Sequence, residues 1–304
     1  MRHRNPVCAK GMMMLDRGLL AAMAVAAMLC APLGSASAFD DAKYPNLNGQ
    51  WIGVRIPGGG GGGAGQPSFD PSKPWGTTQG APLTPEYAAM FEANLAEQRA
   101  GGQGTNATST CLSPGMPMVM NAHSPMEIIV LPEITYIRVD HIRDTHRRIY
   151  TDGRAWPDPI PAGFDGYSIG QWIDTKSDGH YDLLEVETRG FRGPRSYDAS
   201  GLPLHRDNES VFKERFYLDK ANANLLHDDI TVFDHALTRP WTVMKTYRRN
   251  PDPRPTWIEY ICADGQQLVR IADEGYMLSA DGLLMPTRKG QQPPDLSYFN
   301  KAKK

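Results

Sequence analysis

The chain has 304 residues, of which 40% are hydrophobic and 22% are charged. This ordinary globular composition excludes a fully disordered chain, a collagen and a coiled coil, and the 25 prolines and 30 glycines favour many turns over long helices. The formal net charge of −2 excludes a general attraction to phosphate backbones or anionic membranes, so we expect no nucleic-acid partner.

The first 38 residues contain the three parts of a secretory signal. Basic residues precede an apolar run at 19–32, and the small-x-small sequence Ala36-Ser37-Ala38 follows it. The apolar run is too short to span a bilayer. We predict cleavage after Ala38 and a periplasmic or secreted protein that keeps no integral membrane segment. The alternative is a buried N-terminal helix.

Residues 39–110 are predicted to form a strand, a flexible loop and a helix. Residues 51–56 have the pattern of a strand. The glycine-rich run at 58–65 lacks the Lys-Ser/Thr of a phosphate-binding loop, so it indicates a flexible surface loop. Thr84 as the N-cap and Pro85 at the first helical position predict a helix that ends at Arg99, before two glycines.

From residue 126 onwards the hydrophobic pattern has a period of two, which is typical of strands. We predict strands near 126–131, 134–142, 146–151, 167–173, 181–188, 211–218, 229–234, 241–248, 257–262 and 266–271. This pattern predicts a mainly β fold, an antiparallel lipocalin-like β-barrel of about 8–10 strands with one N-terminal helix. The barrel core spans 111–271, an irregular C-terminal tail at 272–304 wraps around it, and residues 39–304 form one domain.

Cysteine usage agrees with export. Cys8 and Cys30 leave with the signal, whereas Cys111 and Cys262 remain as an even pair in an oxidising compartment. We predict a disulfide between them, which would stabilise the fold by about 3–5 kcal/mol because it closes a very long loop. The alternative is two free buried thiols.

Several short motifs resemble those of known families. Gly49-x-Trp51 is similar to the opening of lipocalin-like, calycin-type barrels. The motifs RRIYTDGR at 147–154, GYSIG at 166–170, VETRGF at 186–191 and RPWT at 239–242 resemble, in this order, a large family of exported, mostly uncharacterised bacterial proteins. The resemblance covers 47–299. It implies a β-rich exported domain found in bacteria that consume plant-derived aromatic compounds, and it implies no established reaction.

One predicted strand carries a row of chemically useful side chains. His146, Arg148 and Tyr150 share a face, and a base, a cation and a phenol are the groups that acid–base catalysis needs. His141 ends the preceding strand, so a tight turn could bring it near His146. We expect this row to line a pocket inside the barrel, with Arg148 binding the substrate and the others acting in catalysis. The alternative is a solvated outer face.

The favoured single base is His205, in a polar loop. Asp207 lies two residues away, where a carboxylate can orient the imidazole. The alternative is an ordinary surface histidine. No H-x-H, H-E-x-x-H or paired C-x-x-C spacing occurs, so we expect no metal and no cofactor.

A second set of residues is predicted to bind the substrate. Arg154 could pair with a carboxylate or phenolate, and Glu187 could accept a proton if its strand face points inward. Tyr167 lies in the GYSIG motif and Arg215 in a further shared motif, Glu214-Arg215-Phe216, and these two residues complete the set. The alternatives are turn chemistry, structural ion pairs and solubilising charges.

The favoured hypothesis is a periplasmic, cofactor-independent acid–base enzyme. Its reaction would be that of a lyase, cleaving a C–C or C–O bond in a small phenolic, lignin-type molecule. The aromatic substrate rests on the family resemblance alone. One alternative is a non-catalytic lipocalin-like binding protein for a small apolar molecule, and another is a cell-envelope interaction module.

Overall fold

The computed structural model describes residues 40–54, 67–141, 143–257, 262, 268–272, 274–279 and 281–297. The predicted signal sequence and the glycine-rich loop lie outside the described residues, as do residues 258–261 of one predicted strand. Within the described segments, no helix is both long and apolar enough to cross a lipid bilayer.

Nine strands form a closed β-barrel in chain order. They are β1 (Gly49–Gly53), β2 (Met126–Val130), β3 (Ile134–His141), β4 (Arg143–Tyr150), β5 (Tyr167–Ile173), β6 (Leu183–Arg189), β7 (Val211–Leu218), β8 (Leu225–Phe233) and β9 (Trp241–Arg249). Strand β1 pairs with β2 along one edge and with β9 along the other, which closes the sheet. Strands β5 and β7 begin and end where the sequence predicts.

The barrel is mixed, and the prediction of a purely antiparallel sheet is wrong at one junction. Strands β4 and β5 run parallel, with Ile149 opposite Ser168, whereas the other neighbouring pairs of the described barrel are antiparallel. A parallel connection needs a dozen or more residues. The segment 151–166 is long enough to carry the chain back, so β5 starts in the direction in which β4 ran.

Alternate residues of each strand point into the barrel and form an apolar core. In β2, for example, Met126, Ile128 and Val130 are buried and the two residues between them are half-buried. The largest inward side chains include Trp51 and Phe212, which are fully buried. Burial of each such side chain contributes about 1.5–3 kcal/mol.

The predicted helix is α1 (Pro85–Arg99). The amide of Tyr87 donates to the Thr84 hydroxyl, so Thr84 caps the helix as expected. Phe91 and Asn94 are buried, and the Asn94 amide donates to the carbonyl of Ser200 at 2.5 Å. The helix therefore anchors the polar loop that precedes β7.

The C-terminal region differs from the predicted irregular tail. Strands β10 (Leu268–Ile271), β11 (Glu274–Leu278) and β12 (Leu284–Pro286) form a separate three-stranded antiparallel sheet. These strands are only three to five residues long. The strand predicted near 266–271 corresponds to β10, whereas β11 and β12 lie in the region predicted as an irregular tail. Their short alternating stretches give a weak sequence signal, which explains why these two strands were not predicted.

The predicted disulfide is confirmed. Cys111 and Cys262 are bonded, with their Cα atoms 5.5 Å apart and a sequence separation of 151. Cys111 precedes β2 and Cys262 follows β9. The bond therefore joins the segment that precedes β2 to the segment that follows β9.

Inside the barrel lies a buried ion pair that the sequence analysis missed. Arg147 and Glu214 are each 1% exposed. Arg147 Nη1 donates to Glu214 Oε1 at 2.7 Å, Nη2 donates to the other carboxylate oxygen, and Nη2 also donates to the Thr188 hydroxyl at 2.9 Å. This bidentate geometry compensates the desolvation of both charges.

A second buried cation lies further along the interior. Lys245 donates to the carbonyl of Phe69 at 2.5 Å and to Asn121 Oδ1 at 2.8 Å, and burial lowers its pKa to about 8. Asp228 is fully buried, and its pKa is raised by burial and by the nearby Glu214 carboxylate. Lys245 thus holds two N-terminal segments against the barrel wall.

We expect Arg147→Met to destabilise the protein by about 3–5 kcal/mol, because it leaves the Glu214 carboxylate buried without its cation. The double variant Arg147→Met with Glu214→Leu should lose much less, since no uncompensated charge remains. Chemical denaturation at pH 7 measures both free energies of unfolding. A double variant whose loss of stability equals the sum of the losses in Arg147→Met and Glu214→Leu would contradict this expectation.

Candidate functional site

Three polar side chains from two loops meet at one end of the barrel. His205 Nδ1 lies 2.8 Å from Asp207 Oδ2, and His235 Nδ1 lies 2.6 Å from the same oxygen. The two imidazole rings are nearly perpendicular, with their centres 5.5 Å apart. One carboxylate oxygen therefore orients two imidazoles, and we refer to these three residues as the imidazole pair cluster.

Asp234, just after β8, ties together the two loops that carry this cluster. Its Oδ1 accepts hydrogen bonds from the amides of His205 and Ala236, both at 2.9 Å. Its Oδ2 accepts from the Ser210 hydroxyl at 2.6 Å. The loop before β7 and the turn after β8 are thus fixed relative to each other, which brings His235 to His205.

A pocket of about 380 Å³ lies beside His205. The Tyr87 ring packs 5.2 Å from the His205 ring, and its hydroxyl accepts from the amide of Arg206 at 3.3 Å. Met90 and the buried Arg195 also line the pocket. It therefore combines an aromatic wall, an apolar contact and cationic side chains next to an imidazole, and its volume suits a small molecule.

Protonation in the cluster is set by Asp207. Burial alone would raise its pKa, but hydrogen bonds from the Glu209 amide and from both imidazoles outweigh burial and lower it to about 2. The hydrogen bond to Asp207 raises the pKa of His235. The carboxylate is therefore ionised at neutral pH, and it favours the protonated form of His235.

The Asp207 main-chain amide donates to His205 Nδ1 at 3.3 Å, and a carboxylate oxygen of the same residue lies 2.8 Å from that nitrogen. Nδ1 is therefore held by Asp207, and Nε2 is the ring nitrogen left to face a ligand. The tautomer with its proton on Nδ1 would make Nε2 the basic nitrogen.

The same three residues are the ones that could hold a metal ion. In the described part of the chain, this is the one group of three His, Asp, Glu or Cys side chains whose ligand atoms all lie within 4.8 Å of one another. Zinc–nitrogen bonds of about 2.0–2.1 Å place neighbouring tetrahedral ligands about 3.3 Å apart. The observed 2.6 and 2.8 Å are instead hydrogen-bond distances, so the geometry favours shared protons.

The predicted row on β4 does not line the interior, which corrects the expected orientation of this strand. His146 and Arg148 are exposed and Tyr150 is half-buried, whereas Arg147 and Ile149 point inward. The Arg147–Glu214 ion pair makes the inward position favourable for the arginine at 147. An alternating strand has two faces, and the sequence pattern alone does not distinguish them when both carry charges.

His141 lies on the opposite face of the sheet from His146, so the two do not approach each other as expected. His141 points inward, is 8% exposed and has its ring centre 4.5 Å from that of His123. Burial, with a contribution from His123, lowers the pKa of His141 to about 3. It is therefore neutral at physiological pH, and it is not a member of the imidazole pair cluster.

Most of the predicted substrate-binding residues gather in a different place, on the outward face of β5 to β8. Arg154 packs over the Tyr150 ring at 3.8 Å and donates to the Tyr167 hydroxyl at 3.4 Å. A depression of about 930 Å³, which we call the outer groove, covers this face. Its lining includes Tyr44, Arg154, Trp156, Gln171, Trp172, Tyr181, Glu185, Glu187, Lys213, Arg215, Asp229 and Phe233.

The structure thus divides the predicted site residues among separate places. His205 and Asp207 form the cluster, whereas Arg154, Glu187 and Arg215 line the outer groove. His235 was missed because it lies 28 residues from Asp207 in the sequence. The signal that could have identified it is the Asp-His pair at 234–235 directly after a predicted strand.

No protein-family model matches the chain, and neither a curated protein nor a solved structure is significantly similar to it. The family resemblance of the motifs therefore stays a prediction.

The His235 imidazole should titrate above 6.5, because its hydrogen bond to Asp207 favours the protonated form. Asp207→Asn should lower the His235 pKa, since the amide cannot stabilise the cation as well. Ring resonances followed by NMR between pH 4 and 9 measure both values. His180, paired with Asp178 in a distant turn, is the control that should not change. An unchanged His235 titration in the variant would contradict this prediction.

His141 should make the fold sensitive to mild acid. Below pH 6.5 the unfolded chain binds a proton that the folded chain does not take up until about pH 3, so stability falls as the pH is lowered through this window. Between pH 7 and 5 the loss from this group is about 2 kcal/mol. Urea denaturation at pH 7 and at pH 5 measures the free energy of unfolding of both proteins. Between these two pH values, His141→Phe should lose about 2 kcal/mol less than the wild-type protein. Equal losses in the two proteins would rule out this role.

Proposed function

We propose that the imidazole pair cluster is an acid–base site and that the protein is an exported, periplasmic lyase. The observation that supports this most strongly is the Asp207 carboxylate, which orients two imidazoles next to a pocket. A lyase needs one group that removes a proton and another that supplies one. Here both groups are imidazoles, those of His205 and His235, and they lie in different environments.

His205 is the proposed base, because it lines the pocket and its Nδ1 is held by Asp207. Its Nε2 removes a proton from a hydroxyl or C–H group of the substrate, and the released electron pair breaks a C–O or C–C bond. His235, whose pKa the hydrogen bond to Asp207 raises, is exposed and lies outside the pocket lining, so it is proposed to donate a proton to a leaving group that extends beyond the pocket. The electrons balance without an oxidant or reductant, and exchange with water restores both imidazoles.

The substrate class is a small phenolic molecule. The Tyr87 ring offers an aromatic surface, and Arg206 and Arg195 bring positive charge that would favour a phenolate. A pocket of about 380 Å³ is large enough for a molecule with one or two aromatic rings. The lignin-type identity of this molecule rests on the motif resemblance.

The test is turnover of a panel of phenolic dimers joined by ether or carbon–carbon bonds, followed by product mass spectrometry. His205→Ala should lower kcat by a factor of about 10²–10⁴, the usual contribution of a positioned acid or base. His235→Ala should lower kcat by a similar factor and remove the decline in rate at high pH. His180→Ala is the matched control, because His180 also pairs with an aspartate but is not part of the imidazole pair cluster.

Circular dichroism of each variant establishes that the fold is intact. Wild-type activity in both His205→Ala and His235→Ala would overturn the proposed mechanism. Tight binding of the dimers by the wild-type protein without any product would favour the alternative of a non-catalytic binding protein. No turnover and no binding of any dimer would overturn the proposed substrate class.

A further inference from the structure

The outer groove has charged side chains but a balanced charge. Its floor is made of ion pairs, since Glu185 lies 3.4 Å from Arg215 and Glu187 lies 3.5 Å from Lys213. Apart from Glu214, which is buried and paired with Arg147, the acidic and basic lining side chains are equal in number: Glu185, Glu187 and Asp229 against Arg154, Lys213 and Arg215. Such a floor offers many hydrogen-bond donors and acceptors without attracting either sign of charge.

Aromatic side chains stand at the two ends of this floor. Trp156 packs near Tyr167 at one end, with ring centres 6.0 Å apart. Trp172 and Tyr181 stack at the other end, with ring centres 6.3 Å apart. Residues 167 and 172 are five positions apart along β5, about 17 Å, and lie on opposite faces of the strand.

The groove continues beyond its second aromatic end. A neighbouring depression of about 440 Å³ shares Tyr181 and Arg215 with the outer groove and extends towards Pro45 and Lys220. Together the two depressions follow β7 and the turn after it, from Lys213 to Lys220. Their combined shape suits a chain-like ligand more than a compact one.

Trp172 lies at the inner edge of the groove. It is 8% exposed and shares the buried face of β5 with Ser168 and Gly170, and its ring packs against Tyr44 and Tyr181, which also line the groove.

We propose that the outer groove binds a neutral oligosaccharide chain. A saccharide carries donors and acceptors in every ring, has no net charge, and has apolar C–H faces that pack on aromatic rings. The ion-paired floor, the aromatic side chains at both ends and the elongated shape match these three properties. This site is separate from the imidazole pair cluster and does not depend on the lyase proposal.

The test measures binding of cellohexaose, xylohexaose, mannohexaose and maltohexaose to the full-length gene product by calorimetry and by quenching of tryptophan fluorescence. At least one of the four should bind. Trp156→Ala and Tyr181→Ala should each weaken that binding at least tenfold, whereas Trp156→Phe should retain most of it. Met244→Ala is the matched control, because Met244 is an exposed outward side chain outside the groove. His205→Ala should also bind normally.

Thermal unfolding of each variant shows whether weaker binding comes from a lost contact or from a destabilised fold. If Trp156→Ala is unstable, binding is compared between the wild-type protein and Trp156→Phe instead. Binding to none of the four saccharides would overturn the proposal. So would binding that neither Trp156→Ala nor Tyr181→Ala weakens, or a preference for an anionic oligogalacturonate over every neutral chain.

Discussion

Closure of the sheet between β1 and β9 is the constraint on which the rest of the structure depends. A closed barrel gives every strand one face towards the interior and one towards solvent, and the alternation of side chains then determines what each residue can do. It buries Arg147 beside Glu214 and places Arg148 in water. The same closure makes the outward faces of β5 to β8 a continuous surface, on which the outer groove lies.

Much of the barrel could be predicted from the sequence, because alternation and turn residues are local signals. Strands β5 and β7 and the cap of α1 are examples. The orientation of β4 could not be predicted, because Arg147 and Arg148 are equally polar and only the position of Glu214, 67 residues away, decides which of them is buried. The parallel pairing of β4 with β5 likewise depends on the path of a long connection.

The candidate site shows the same limit. His205 and Asp207 are neighbours in the sequence, so their pairing could be predicted, whereas His235 joins them through the tertiary structure. Asp234 makes that approach possible, because it binds both loops at the end of a barrel strand. The barrel therefore acts as the rigid support, and the loops at its end supply the chemistry.

The cystine between residues 111 and 262 makes a covalent ring that contains β2 to β9. A protease that cuts one surface turn within this ring opens it but releases no fragment, so the cleaved chain keeps its mass and its barrel contacts. Cleavage would become visible only after reduction. A single cut in such a turn therefore leaves the chain in one piece, whereas a cut in β1 or before it lies outside the ring.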